Sequence, residues 1–189
     1  PAMSLTIPNL LSLLRMALVP FFIIALVEGH PRRALLVFLA AGVTDALDGA
    51  IARIYRQQSL LGSYLDPMAD KLLLTSAYVV LAIPGLSHGT PIPVWVTVLV
   101  IARDVLLVVV AMVMLLALGV KRFPPSLLSK ITTVAQVAAV VLVLLSALLP
   151  DLEPVALGVV YLVAGLTLAS GLHYVYRSNR LIEDKNRAA

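Results

Sequence analysis

Residues 45–70 read DALDGAIARIYRQQSLLGSYLDPMAD, four aspartates set between spans made almost wholly of Leu, Val, Ile and Ala. The chain of 189 residues is 61% hydrophobic and 13% charged, with a mean hydropathy of +1.03. That leaves too little polar surface to cover a soluble core, so the sequence reads as an integral membrane protein. The aspartates then need a reason for lying where a lipid-facing helix would carry none.

Outward from this stretch, the apolar residues fall into six runs near Asn9–Leu26, Arg33–Tyr55, Leu65–Pro84, Ile92–Leu118, Leu127–Leu148 and Pro154–Tyr176. Each is long enough to cross a hydrocarbon layer of about 30 Å as a tilted helix. The expected fold is therefore all-α, a polytopic bundle of six transmembrane helices over residues 9–176. A short segment (1–8) precedes it, and a polar tail (177–189), expected to fray, follows. Pro1 and Ala2, ahead of Met3, are expected to be an addition to the natural chain. The first run reads as a mature helix rather than a signal peptide, because no basic cluster precedes it and Arg15 interrupts it. The turns EGHPRR, IPGLSHGTPIP, GVKRFPP and LLPDLEP are short, and neither a second domain nor an internal repeat is visible.

Arg53, Arg56, Lys121, Arg122, Arg177, Arg180, Lys185 and Arg187 gather at one set of helix ends. At the other set, Arg32 and Arg33 are offset by Glu28, Asp151 and Glu153. Lysine and arginine near short loops favour the cytoplasmic side, so both termini are expected there. The basic rim suits anionic lipid headgroups, although topology control alone explains it equally well. No nucleic-acid partner is expected.

On a helical wheel Asp45, Asp48, Gly49 and Ala52 fall within an arc of roughly 100°, and Asp66 and Asp70 share a face one turn apart. Pro67 after Asp66 suggests that Asp66 caps the third helix, with Pro67 in its first turn. Two antiparallel helices joined through Tyr55 to Ser63 would bring the four carboxylates together just inside one membrane surface. Such a cluster repels itself unless something positive lies within it. The chain has no cysteine, and hard oxygen ligands select magnesium, manganese or calcium. Two divalent ions roughly 4 Å apart would balance four carboxylates and clamp a phosphate ester. The plainer alternative, ion pairs with Arg53, Lys71 and Arg103 or helix capping, ranks well behind for four acids at this spacing.

DALDGAIAR, an eight-residue spacer and GSYLDPMAD resemble the full signature of the CDP-alcohol phosphatidyltransferases, D-x-x-D-G-x-x-A-R followed by G-x-x-x-D-x-x-x-D. IPNLLSLLR, IARD and SKITT resemble the same family at matching places, so the likeness covers most of the chain. It implies a membrane-embedded homodimer of six-helix subunits that binds CDP-diacylglycerol, passes its phosphatidyl group to an alcohol and releases CMP. Carried over by residue, it makes Asp45, Asp48 and Asp66 ligands of Mg²⁺ or Mn²⁺. Asp70 becomes both a ligand and the base for the acceptor hydroxyl. Gly49, Ala52 and Gly62 would let the nucleotide approach, and Arg53 would contact its diphosphate. For Gly49 and Ala52, close helix packing competes; for Arg53, a mere boundary role does.

Arg103 and Lys130 interrupt apolar spans and are expected to face a polar cavity that holds the acceptor phosphate, with a local pair between Arg103 and Asp104 as the competitor. The resemblance is nearest the glycerol-acceptor branch. Asp104 and Thr132 fit CMP-forming cardiolipin synthases, which use phosphatidylglycerol. Chain length fits phosphatidylglycerophosphate synthases, which use glycerol 3-phosphate, and the two readings stand level. Inositol phosphate and serine are the other acceptors. The site is expected near the cytoplasmic face of a bacterial inner membrane or its equivalent. Asn9 and Arg15 reach a phosphate or snorkel to the headgroups. The rival class is a small ion-coupled transporter, disfavoured because the acids cluster at one end and no half-repeat is evident.

Overall fold

The structure is a computed structural model that describes the backbone of residues 7–55, 60–118 and 127–188, and the side chains of residues 10–45, 47, 71–110, 112 and 127–176. It is all-helical across these residues: α1 (Ile7–Val27), α2 (Pro31–Tyr55), α3 (Leu60–Leu81), α4 (Val94–Leu118), α5 (Leu127–Ser146) and α6 (Glu153–Ala188), with a 3₁₀ turn at Pro150–Leu152. Among the described residues, Leu10–Val27, Leu127–Ser146 and Pro150–Tyr176 are long and apolar enough to cross a membrane.

The helices form two trios. α1 packs along α2 and α3, α6 packs along α4 and α5, and α2–α5, α3–α4 and α3–α5 contacts join the halves. Lipid tails are as apolar as leucine, so burying leucine gives little drive for helix association in a membrane. Close approach through small residues supplies it instead. The core shows this: Ala34, Ala41, Ala77, Ala139 and Ala156 are fully buried between helices, while Leu10, Phe21, Leu36, Val108, Val134 and Leu172 project outward.

Each trio has a seam at helical spacing. On α1 it runs Ser12, Arg15, Val19, Phe22, Leu26; on α2 it runs Ala34, Phe38, Ala41; on α6 it runs Ala156, Val160, Val163, Thr167, Ser170, Tyr174, all buried. Polar groups on the seams are tied across helices. Thr97 Oγ1 donates to the Tyr78 carbonyl (3.2 Å), and Tyr78 Oη donates to the Gln136 carbonyl (3.3 Å).

Two expectations need correction. α3 begins at Leu60, not near Asp66, so Asp66 does not cap it and Pro67 lies inside it. A membrane helix tolerates such a proline because neighbouring groups can satisfy the freed carbonyl. α6 continues without a break through Ala188, so the polar tail extends the helix instead of fraying; its composition suits a helix that has left the lipid.

The turns on the far side from the aspartates are tightly closed. α1 ends with His30 N–H donating to the Ala25 carbonyl (2.8 Å) and Gly29 N–H to the Leu26 carbonyl (3.1 Å), with Gly29 at φ +77°. This is the six-to-one and five-to-two pattern that favours glycine after a helix. Gly89 lies so close to the chain after α5 that an added Cβ would meet the Ala147 nitrogen at 2.7 Å.

Gly89→Ala is therefore expected to destabilise the bundle by about 1–3 kcal/mol, the usual range for overpacking. Gly158→Ala, where nothing lies within 4 Å, should leave the thermal midpoint in detergent unchanged or slightly raised. Equal midpoints for the two variants would contradict the packing described.

Candidate functional site

Arg15 is the only charged residue of α1 and sits on its inward seam, where its side chain is 1% exposed. Its Nη2 donates to Asp45 Oδ1 at 2.9 Å. Asp45 continues the α2 seam of Ala34, Phe38 and Ala41, one turn on, where that seam leaves the packed interior; its side chain is 48% exposed. Arg15 thus neither snorkels to the headgroups nor stands idle: it is folded inward onto the first aspartate of the signature.

Both groups open on a cavity of about 130 Å³ walled by α1, α2, α3 and α5, with Gly42, Leu74, Thr133 and Val137 in its lining. Arg15, Asp45 and Thr133 are its polar lining residues, and the rest of the lining is apolar. A carboxylate at the polar mouth of an apolar slot is an arrangement suited to an amphiphile with an anionic head, provided that a cation offsets the like charge.

Asp48 follows Asp45 by three residues on α2, and Asp66 and Asp70 stand four apart on α3. The side chains of Asp48, Gly49, Ala52, Arg53, Gly62, Asp66 and Asp70 lie outside the described residues. Among the described residues no three metal-ligating side chains come together. The donor set that the helices carry is oxygen alone, which fits a hard divalent cation and not a thiolate-seeking one.

A second polar cluster pins α3, α4, α5 and α6 together. Arg103 on α4 is buried, 5% exposed. Its Nη1 donates to Asp104 Oδ1 at 2.9 Å, and its Nη2 donates to Ser129 Oγ on α5 and, at 2.9 Å, to Ser170 Oγ on α6. Asp104 Oδ2 in turn receives Lys71 Nζ from α3. The local pair with Asp104, weighed as the competitor, is present, and the guanidinium is held by three side chains in all. Neighbouring residues on a helix point about 100° apart, but the long arginine side chain folds back across that angle.

Lys130, the other charge that interrupts an apolar span, is exposed. The α5 seam passes through Thr132, Gln136, Ala139 and Val143, and a residue two places before Thr132 lies on the opposite side of the helix. Arg103 and Lys130 therefore do not share an environment, although Ser129 links one to the neighbour of the other. Ser129, Ser170 and the pairing of Arg15 with Asp45 were not singled out by reading the sequence, whereas Lys71 was named there only as an ion-pair partner for the signature aspartates. The signal available was spacing: Arg15 and Ser170 each fall on the buried seam of their helix.

Residues 5–170 match the family model described as CDP-alcohol phosphatidyltransferase. The chain is similar to the cardiolipin synthase (CMP-forming) of Homo sapiens, 32% identical over 191 residues, covering 93% of this chain and 62% of that protein. It is also similar to a probable phosphatidylglycerophosphate synthase of Mycobacterium tuberculosis, 36% identical over 181 residues, covering 91% of this chain and 81% of that protein. A cardiolipin synthase (CMP-forming) of Streptomyces coelicolor is 42% identical over 111 residues, covering 56% of this chain and 49% of that protein. The chain thus spans 62% of the length of the human and rat proteins it matches.

Replacing Arg103 with methionine should cost on the order of 3 kcal/mol, because it strips a buried charge pair of one member. Lys130→Met should stay within about 0.5 kcal/mol, as exposed substitutions do. Chemical or thermal unfolding of the two variants in detergent checks this, and equal stabilities would refute the assignment of Arg103 to a clamp.

Proposed function

We propose, from the premise that this chain belongs to the CDP-alcohol phosphatidyltransferase family, that it transfers the phosphatidyl group of CDP-diacylglycerol to a glycerol-type alcohol and releases CMP. The observation that carries this reading is the complete aspartate pattern on α2 and α3, whose first member opens on a cavity instead of being sealed among hydrocarbon. Relatives named for cardiolipin synthesis and for phosphatidylglycerophosphate synthesis both support a glycerol-type acceptor.

In this reading Asp45, Asp48, Asp66 and Asp70 hold divalent cations, Mg²⁺ or Mn²⁺ and two in number. When bound there, they offset the charge of the pyrophosphate and of the departing CMP. Gly49, Ala52 and Gly62 leave room for the nucleotide, and Arg53 contacts its diphosphate. Asp70 takes the proton of the acceptor hydroxyl. That hydroxyl oxygen forms a bond to the phosphorus bearing the diacylglycerol, and the bond from this phosphorus to the bridging oxygen breaks. CMP leaves with that oxygen and the electron pair.

On the acceptor side, Lys130 offers an exposed ammonium group for an acceptor phosphate, and Arg103 steadies the adjoining Ser129. The surrounding protein in this proposal has six membrane spans over residues 9–176, both termini and the site on the cytoplasmic side, and two copies per assembly. The transporter reading has no specific observation in its favour.

Purified chain with CDP-diacylglycerol and Mg²⁺ or Mn²⁺ is expected to release CMP with phosphatidylglycerol or with glycerol 3-phosphate, and the productive acceptor decides between the two. CMP release with neither, nor with inositol phosphate or serine, would end the proposal. Asp70→Asn should lower turnover by at least about 10²-fold, the scale of general-base catalysis, while retaining CDP-diacylglycerol binding. Normal turnover in that variant would remove Asp70 from the mechanism.

A further inference from the structure

The signature spans residues 45–70 and assigns nothing to α1, yet α1 packs against both aspartate-bearing helices, α2 and α3. Its one charge, Arg15, is turned inward at 1% exposure and bonded to Asp45 Oδ1 at 2.9 Å, while Asp45 itself remains 48% exposed. A buried arginine in an apolar span is expensive and calls for a specific partner. Asp45, by contrast, is not sealed among hydrocarbon: about half of its side chain stays open beside the cavity. The ion pair is therefore better explained by what it does to the direction of the carboxylate than by neutralisation.

We infer that Arg15 is a positioning residue for the acidic cluster: it fixes the Asp45 carboxylate at the mouth of the cavity so that this group meets a divalent cation in one orientation. This rests on the reading of the aspartates as cation ligands given above. The guanidinium suits the task because its planar fork sets direction as well as charge, which an ammonium group does not. Partners that orient a ligand from behind typically contribute 10- to 100-fold to metal affinity.

The alternative roles of Arg15 give different signs. A guanidinium acting only as a nearby positive charge repels an incoming cation, so its removal would tighten binding. A guanidinium acting only in helix packing would leave the affinity of the folded protein unchanged. Orientation alone predicts weaker binding on removal.

The test is a titration of the full chain in detergent micelles with Mn²⁺ alone, read by loss of the free-ion electron paramagnetic resonance signal. Arg15→Met is expected to weaken Mn²⁺ binding on the order of 10- to 100-fold. Arg15→Lys, which keeps the charge and most of the stem and so protects the fold, should also weaken it, by a smaller factor. Turnover of either variant should recover at saturating Mn²⁺, separating cation affinity from the chemical step. Titration curves for Arg15→Lys that match the parent chain or lie tighter overturn the inference. Failure of the parent chain itself to bind Mn²⁺, or equal binding by Asp45→Asn, would instead overturn the reading of the aspartates on which it rests.

Discussion

On the proposed reading of the four aspartates, repulsion among carboxylates at the edge of a low-dielectric layer is the constraint around which this bundle is arranged. Four aspartates on two helices are tolerable only where positive charge is held nearby, and the strength of that requirement grows as water is excluded. Arg15 reaches across from α1 and holds the Asp45 carboxylate in place; on the proposed reading, the charge of the cluster is offset by divalent cations.

The same logic separates the two polar clusters. At Asp45 the carboxylate faces a cavity and stays half exposed, the condition for exchanging partners. At Asp104 the carboxylate is bound on one side by Arg103 and on the other by Lys71, and the same guanidinium donates to Ser129 and Ser170. One arrangement is open and the other closed. A closed, hydrogen-bonded charge network between helices fixes their relative placement, and in this bundle it ties α3 to α4, α5 and α6. Precise placement of α3 matters because it carries Asp66 and Asp70.

Much of the fold was legible in the sequence. Six apolar runs became six helices with most of their limits shifted by only a few residues, because long apolar segments with short polar turns admit few other structures in a membrane. The start of α3 was misplaced: Asp-Pro is a strong local cue for a helix beginning, yet Leu60 and Leu61 extend the helix ahead of it. The polar tail misled for a related reason. Polarity marks departure from lipid, not the end of a helix. At the site, the aspartate spacing was readable because a period of 3.6 fixes which residues share a face. The partners were not. Whether Arg103 turns toward Asp104 or toward a cavity depends on the rotamer of a long side chain and on two serines from helices distant in sequence. Lys130 shows the converse, since a charge inside an apolar run still points outward when it falls off the buried seam.

Anomalous scattering from Mn²⁺ in crystals of the full chain tests the central claim most directly. The account predicts a peak at about 2 to 2.5 Å from a carboxylate oxygen of Asp45 and from at least two of Asp48, Asp66 and Asp70. Four aspartates without a peak among them, or carboxylates turned to separate faces of α2 and α3, would contradict it.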